Sequence, residues 1–337
     1  MSIRSGHQLV TPTGPAQRLL IAIGVACFLP VASDAITGQD TVLETAVIYP
    51  QEDGCSQLYS PTVLQDAAQP GLFHMWCGGW KNCADRDQYG NDRIYHSTST
   101  NLRNWTAPTS VINSAGYQFN DPSVIAVSYP AGSPSARLVY LMYLTGCTTV
   151  TDCYTTGHNV TYGATSYDGV TWSTPQLVIG INNGLNNGGA WSPSAVKISE
   201  SLVYLYFFVN TNDPATDGSV QRATINPQVD FFRATSPIRV VLPYHVNPDV
   251  LKTASGYEML YDSGTPFRIN RLKSTDGITF VDDSSFPGIN GAPNYRAQTG
   301  HAFPVPGSPQ QYWLYFGWGT APVADPIVIN GWRWQRP

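Results

Sequence analysis

The chain has 337 residues, of which only 12% are charged, whereas Gly, Pro, Tyr and Trp number 30, 26, 19 and 9. This composition disfavours long surface helices, which need Glu, Lys and Ala, and it disfavours disorder, which needs charge without aromatic residues. The formal net charge of −5 argues against nucleic acid as a partner, because phosphates demand a basic surface. The composition instead favours many short strands joined by turns.

The first 35 residues have the pattern of an export signal. Arg4 and Arg18 supply positive charge, and residues 19–31 form an apolar stretch that is too short to span a bilayer. Small residues follow this stretch and offer a cleavage site. We therefore predict a signal peptide over residues 1–35 and a secreted or periplasmic protein without a membrane span. A lipid anchor at Cys27 is the less favoured alternative.

Five cysteines follow the predicted signal peptide, and four of them form two pairs with the same spacing. The pairs are Cys77 with Cys83 and Cys147 with Cys153. In an oxidising compartment this pattern predicts two short disulfide loops. A metal site at these pairs is disfavoured, because no histidine stands nearby at zinc spacing. Cys55 is left over, either free or paired in a connectivity that the spacing does not define.

One phrase recurs five times: a small or polar residue, a proline and a β-branched pair, followed by a turn and an aromatic strand. Its prolines are Pro61, Pro122, Pro193, Pro248 and Pro304. Repeats of roughly 50–70 residues with several short strands each are typical of propeller blades. A proline at the start of an innermost strand costs no ladder hydrogen bond. We predict an all-β fold in which residues 36–337 form one five-bladed β-propeller of four-stranded antiparallel blades, starting near residues 59, 120, 191, 246 and 301.

A second phrase follows the first in two of the blades. Residues 166–172 and 274–280 both read Ser-x-Asp-Gly-x-Thr-aromatic, and residues 97–105 are a degenerate third copy. The Asp and Gly of such a phrase favour a tight turn in which the carboxylate binds turn amides. We therefore assign Asp168 and Asp276 to structure and not to catalysis.

The order of the two phrases resembles the five-bladed glycosidases of the arabinanase, β-xylosidase and fructosidase type, and the second phrase resembles the Asp box of sialidase-like propellers. The resemblance covers roughly residues 45–335. It implies a central funnel with three carboxylates on the inner strands of the first three blades: a base, a neighbour that tunes its pKa, and an acid. Asp121 matches the tuning position, but Ser60 and Ser192 stand at the other two. His301 matches an axial histidine near a bound ion or water.

Cleavage of a glycoside needs one acid to protonate the leaving oxygen and a second carboxylate as base or nucleophile. Asp249 is the first candidate partner for Asp121, because it lies two residues beyond the position that matches Asp121 and period-2 alternation turns it to the axis. Asp87, in the loop after the first aromatic strand, is the second candidate. Asp92, nearer the next strand, is left open between a funnel acid and a solvated loop charge, and Glu258 ranks below Asp121 and Asp249.

Sugar binding needs flat apolar surfaces and polar groups that reach the hydroxyls. The candidates are Trp76, Trp80, Trp191, Tyr244, His245, Arg296 and His301. Core packing is the alternative interpretation for each aromatic residue. No cofactor is expected to be required, although His301 would be the ligand of an axial calcium or sodium ion.

The favoured function is a secreted, monomeric glycoside hydrolase that acts on a poly- or oligosaccharide, pentose-containing as in arabinan or xylan. Ser60 and Ser192 leave open a non-catalytic carbohydrate-binding propeller. A glycan lyase or phosphorylase on the same scaffold is the third alternative.

Overall fold

The computed structural model describes residues 41–48, 58–80, 92–113, 117–147, 158–181, 189–210, 219–241, 245–263, 268–283, 286, 288–290, 295–308, 311–320 and 328–335. The predicted signal peptide, Asp87, Tyr244, Cys55, Cys83 and Cys153 lie outside these ranges, so what was expected of them stays a prediction. Within the described ranges every regular element is a β-strand. No helix in this part of the chain has the length and apolar character needed to cross a membrane.

The strands form five antiparallel sheets in chain order. The first sheet contains β2 (Leu58–Gln65), β3 (Phe73–Trp80), β4 (Asp92–Ser99) and β5 (Thr109–Ile112). The second contains β6 (Phe119–Tyr129), β7 (Arg137–Cys147), β8 (Asn159–Ser166) and β9 (Gln176–Ile179). The third contains β10 (Gly189–Ser199), β11 (Leu202–Asn210), β12 (Ser219–Ile225) and β13 (Ile238–Val241). The fourth contains β14 (Val246–Thr253), β15 (Gly256–Ser263), β16 (Arg268–Ser274) and β17 (Val281–Asp282), and β18 (Ile289–Asn290) also pairs with β16. The fifth contains β19 (Tyr295–Pro304), β20 (Gln311–Thr320), β21 (Val328–Gln335) and β1 (Thr41–Ile48).

The fifth sheet closes the ring, because its outermost strand comes from the other end of the chain. β1 pairs antiparallel with β21, from Thr41 opposite Gln335 to Ile48 opposite Ile329. The innermost strands β2, β6, β10, β14 and β19 contact one another in a closed circle. The predicted five-bladed propeller of four-stranded antiparallel blades is confirmed.

Each inner strand contains a β-bulge at the same place, and one residue of each bulge has a positive φ. These residues are Ser60 (φ 48°), Asp121 (φ 47°), Ser192 (φ 47°), Asn247 (φ 51°) and Thr299 (φ 52°). Such backbone is costly for residues with a Cβ, and bulges re-aim the side chain that they carry. Here the five bulges turn five polar side chains towards the axis, and we call them the axial ring.

The fifth inner strand differs from the predicted phrase. Proline follows the axial-ring residue in the first four blades, but Gly300 follows Thr299 in the fifth. Pro304 is instead the last residue of β19. The fifth inner strand therefore begins at Tyr295, six residues before the predicted start near 301.

Hydrogen bonds from aromatic side chains join neighbouring blades. Trp76 Nε1 donates to Gly169 O at 2.8 Å, and Tyr206 Oη donates to Gly277 O at 2.8 Å. Tyr143 Oη makes the equivalent bond to Phe231 O at 3.0 Å. All three donors are fully buried, so each bond is made where water does not compete. These bonds account for an aromatic donor in the second strand of each of the first three blades.

The acceptor turns of two of these bonds are held by the acids of the second phrase. Asp168 Oδ1 accepts the N–H groups of Val170 and Thr171 at 2.8 and 2.7 Å, and Asp276 Oδ1 accepts two turn amides at 2.8 Å each. Burial is the largest single effect on Asp168 and raises its pKa, but the turn N–H and hydroxyl donors together outweigh it and lower that pKa to about 2. Both acids therefore hold turns, as expected.

Cys77 does not form the predicted disulfide with Cys83. Its thiol is free and buried, and it packs in a core cluster that includes Leu58 and Met75. Burial raises the pKa of the thiol, so the side chain acts as a small apolar group. Cys147 is disulfide-bonded, but its expected partner lies outside the described residues, and that pairing stays a prediction.

Candidate active site

Asp121 lies at the centre of the axial ring. Its Oδ1 accepts a hydrogen bond from Ser60 Oγ at 2.5 Å, and its Oδ2 accepts one from Thr145 Oγ1 at 3.1 Å. Ser192 Oγ lies 3.2 Å from Oδ2 and shares its single proton with Asn247 Oδ1, which is closer at 2.7 Å. Burial raises the pKa of Asp121, while the three hydroxyl donors oppose this shift by favouring the carboxylate. The ring and the prolines next to it line an axial cavity of about 30 Å³, which has room for about two water molecules. The cavity is therefore too small to hold a sugar ring.

Asp92 is a second carboxylate at this end of the axis, although no inner strand carries it. It is the first residue of β4, and it pairs with Trp80 at the end of β3. The Tyr59 phenol donates to its Oδ1, and Asn120 Nδ2 lies 3.3 Å from its Oδ2. Because Tyr59 and Asn120 directly precede two axial-ring residues, Asp92 lies beside the ring.

The environment of Asp92 favours its neutral form. The residue is only 9% exposed. Burial is the largest effect and raises its pKa, the Tyr59 hydrogen bond lowers it, and the negative charge of Asp121 raises it again, to about 7. The Trp80 side chain also donates a hydrogen bond to Asp92. A carboxyl group in this state can give up a proton near neutral pH.

Asp262 is a third carboxylate, and it is completely buried. Both of its oxygens accept the Thr299 N–H at 2.9 Å, and its Oδ2 accepts a hydrogen bond from Asn247 Nδ2 at 2.7 Å. Burial raises its pKa to about 7, and the charge of Asp121 adds to this effect. Thr145 makes the equivalent bond to the backbone of Ser192. Asp262 therefore supports the axial ring, and Asn247 and Ser192 link it to Asp121 by hydrogen bonds.

Asp249, the predicted partner of Asp121, lines the axial cavity but is paired with another residue. Its Oδ1 lies 2.9 Å from His301 Nδ1, and its Oδ2 accepts the Ala302 N–H at 3.2 Å. Burial lowers the pKa of His301, but the charge and hydrogen bond of Asp249 outweigh burial and raise it. Asp249 and His301 thus form a hydrogen-bonded pair in which Asp249 favours the charged form of His301.

The same register in the other blades shows that this pair belongs to a structural pattern. Ser123 Oγ accepts the Ala195 N–H at 2.9 Å, and Ser194 Oγ accepts the Val250 N–H at 2.8 Å. Asp249 Oδ2 likewise accepts the Ala302 N–H of the fifth blade. We therefore assign Asp249 to the contact between blades rather than to chemistry at Asp121.

The predicted sugar-binding residues separate into two groups. Trp76 is fully buried and bonds to the next blade, so it has no surface to offer a ligand. Trp80 is half-buried and donates to Asp92, and Trp191, half-buried beside Ser192, packs on Phe208 with 5.3 Å between ring centroids. These two tryptophans lie at the candidate site.

The remaining candidates are less constrained. His245 is half-buried and lies on Tyr261, with 4.3 Å between ring centroids. Arg296 belongs to β19 by its backbone, and its side chain lies outside the described part of the chain. Glu258 is buried, and its Oε2 lies 4.0 Å from Arg271 Nη1.

In the described ranges no group of three His, Cys, Asp or Glu side chains could hold a metal ion, and the role of His301 as a metal ligand stays a prediction.

The comparisons with known proteins support the fold. No protein-family model and no curated protein sequence matches the chain. A family 117 glycoside hydrolase from Zobellia galactanivorans superimposes with a TM-score of 0.61 at 12% identity, over 88% of this chain and 90% of that one. An α-L-arabinofuranosidase from Podospora anserina, solved with cellotriose, gives 0.59 at 12% identity over 88% and 98%. An exo-1,5-α-L-arabinanase from a bovine ruminal metagenomic library gives 0.57 at 14% identity over 83% and 94%. The resemblance to five-bladed propeller glycosidases is thus confirmed for the fold.

Proposed function

We propose that this protein is a glycoside hydrolase in which Asp121 and Asp92 are the catalytic carboxylates. The observation that carries the proposal is their arrangement: Asp121 lies on the axis, and Asp92 lies beside it, held by the residue that directly precedes Asp121. Two carboxyl groups with different environments are what acid–base cleavage of a glycosidic bond requires.

The environments assign one role to each group. The hydroxyls of Ser60 and Thr145, and in part that of Ser192, favour the carboxylate form of Asp121, so Asp121 loses its proton first and acts as base or nucleophile. Once Asp121 is charged, it holds the proton on Asp92. Asp92 is then the general acid. Asp262 is a third proton site beside the ring, because burial and the charge of Asp121 raise its pKa to about 7.

The substrate that we propose is a poly- or oligosaccharide that contains pentose units, as in arabinan or xylan. Two of the similar structures are described as an arabinofuranosidase and an arabinanase, which supports this class. Because the axial cavity is too small for a sugar, the ligand would bind above the axial ring, where Trp80 and Trp191 offer aromatic surface. We further propose that the protein is secreted and acts as a monomer without a required cofactor.

The first test is hydrolysis by Asp121→Asn across a panel of arabinans, xylans and their oligosaccharides. We expect kcat/KM to fall by about 10²–10⁴-fold, the range for loss of a catalytic acid or base, while the melting temperature stays close to that of the wild type. The matched control is Asp168→Asn, which removes a turn acid and is expected to lower stability without changing kcat/KM. Full activity of Asp121→Asn would refute the assignment.

A carbohydrate-binding propeller without catalysis is the second candidate function. Ser60 and Ser192 favour it, because they occupy two of the three positions where the similar glycosidases are expected to carry acids. Glycan binding on an array, with no reducing sugar released from the same panel, would support binding over hydrolysis. Ultraviolet-absorbing products or a requirement for phosphate would instead indicate a lyase or a phosphorylase.

A further inference from the structure

Besides the hydrogen bond from Trp80, the two oxygens of Asp92 have different partners. Oδ1 accepts the Tyr59 phenol. Oδ2 has Asn120 Nδ2 at 3.3 Å, which is longer than the usual 2.9–3.0 Å of an N–H···O bond. The other amide atom, Asn120 Oδ1, is buried and has no hydrogen-bond partner in the described part of the chain. A buried carbonyl oxygen in this state is costly and calls for an explanation.

We propose that Tyr59 and Asn120 are positioning residues that place the transferable proton of Asp92 on Oδ2. This inference rests on the proposed role of Asp92 as general acid. Since the Tyr59 O–H occupies Oδ1, the proton of the neutral acid belongs on Oδ2. Rotation of the Asn120 amide by a half turn then brings its Oδ1 against that proton as an acceptor, which gives the orphaned carbonyl a partner.

The same two residues also fit the charged form of Asp92. Asp121, or a water that it deprotonates, forms the new bond to the anomeric carbon as the glycosidic C–O bond breaks. The electron pair of the broken bond goes to the leaving oxygen, and that oxygen takes the proton from Oδ2. Asp92 is then a carboxylate, which accepts hydrogen bonds from the Tyr59 phenol on Oδ1 and from Asn120 Nδ2 on Oδ2. Asn120 therefore serves as acceptor before proton transfer and as donor after it.

The position of Tyr59 depends on a glycine in the neighbouring strand. Gly78 pairs with Tyr59 across β2 and β3, and a Cβ at Gly78 would lie 2.8 Å from Cε2 of the Tyr59 ring, which is closer than real Cβ contacts. Glycine thus creates the space in which the phenol reaches Asp92. Burial and the charges of Asp92 and Asp121 raise the pKa of Tyr59, so the phenol keeps its proton and remains a donor rather than a nucleophile.

The test is a ¹³C NMR titration of the Asp92 carboxyl in the full chain, for the wild type and for Tyr59→Phe. The variant removes a donor that favours the carboxylate, so the pKa of Asp92 is expected to rise by about one unit, the size of one hydrogen bond to a charged group. The high-pH limb of the kcat/KM profile should move by the same amount. The Asn120 side-chain amide resonance should titrate in step with Asp92.

Two further variants keep the test decisive. Tyr143→Phe removes a phenol that bonds elsewhere and is expected to leave the Asp92 titration unchanged. Gly78→Ala displaces the Tyr59 ring without removing it and should shift the titration as Tyr59→Phe does. An unchanged pKa of Asp92 in Tyr59→Phe would overturn the proposal. If the wild type hydrolyses no glycoside, the proposed function fails, and the titration still decides whether Tyr59 and Asn120 position the Asp92 proton.

Discussion

Replacement of Asp262 by Asn should change how the stability of the propeller depends on pH. Asp262 is completely buried below the axial ring, and its pKa is about 7 in the folded protein. In the unfolded chain an aspartate titrates near its ordinary value of about 3.9. The folded protein therefore binds this proton more tightly than the unfolded chain does.

The sign and size of the effect follow from this difference. An acid whose pKa is raised by folding makes the protein lose stability as pH rises from the unfolded pKa through the folded pKa. Between pH 5 and pH 8 the loss accumulates over about two pH units, up to the folded pKa of about 7, and amounts to about 3 kcal/mol. Asn cannot ionise, so Asp262→Asn should lack this part of the decline.

Urea unfolding followed by tryptophan fluorescence at pH 5 and at pH 8 measures the effect. The wild type should lose about 3 kcal/mol more than Asp262→Asn between the two pH values. Asp168→Asn is the control, because its pKa lies near 2 and its loss of stability should be the same at both pH values. Parallel pH dependences of the wild type and Asp262→Asn would refute the reasoning.

Two other predictions concern contacts between blades. Tyr206→Phe removes the fully buried bond to Gly277 O and should cost about 1 kcal/mol of unfolding free energy in the same urea assay, with kcat/KM unchanged; no loss would mean that the bond does not join the blades. Asp249→Asn should leave kcat/KM within about twofold of the wild type, because its partner is His301 and not Asp121. Since the pKa of His301 is raised in the folded protein, the pair stabilises below the unfolded pKa and this stabilisation is lost as pH rises, so the variant should lose more stability at pH 5 than at pH 9. A large loss of kcat/KM would return Asp249 to the catalytic site.

The blades could be predicted because the residues that mark each inner strand and each aromatic strand are consecutive in the sequence. A proline before a β-branched pair and an alternating aromatic strand both leave marks in consecutive residues, and four of the five phrases lie where they were expected. The fifth failed because its bulge contains Gly300 instead of proline, and Pro304 nearby completed a similar phrase at the wrong register. Strand pairing, which is not local, sets that register.

Of the candidate site, only the residues that belong to a repeated sequence phrase could be predicted. Asp121 belongs to the second copy of the proline phrase and was found. Asp92 begins the third strand of the first blade, and Asp262 lies near the end of the aromatic strand β15. Neither belongs to a repeated phrase, and the pairing of neighbouring strands brings them to the axis. Trp76 illustrates the converse: alternation shows that it faces one side of its sheet, but not that the side is covered by the next blade.

The most direct test of the account is the leaving-group dependence of Asp92→Asn on a series of aryl arabinofuranosides, with Asp121→Asn measured alongside. A general acid matters most for poor leaving groups. We expect Asp92→Asn to retain kcat/KM for dinitrophenyl leaving groups and to lose about 10²–10⁴-fold for phenyl leaving groups, whereas Asp121→Asn should lose activity on both. Equal losses across the series for Asp92→Asn would contradict its role as the acid partner of Asp121.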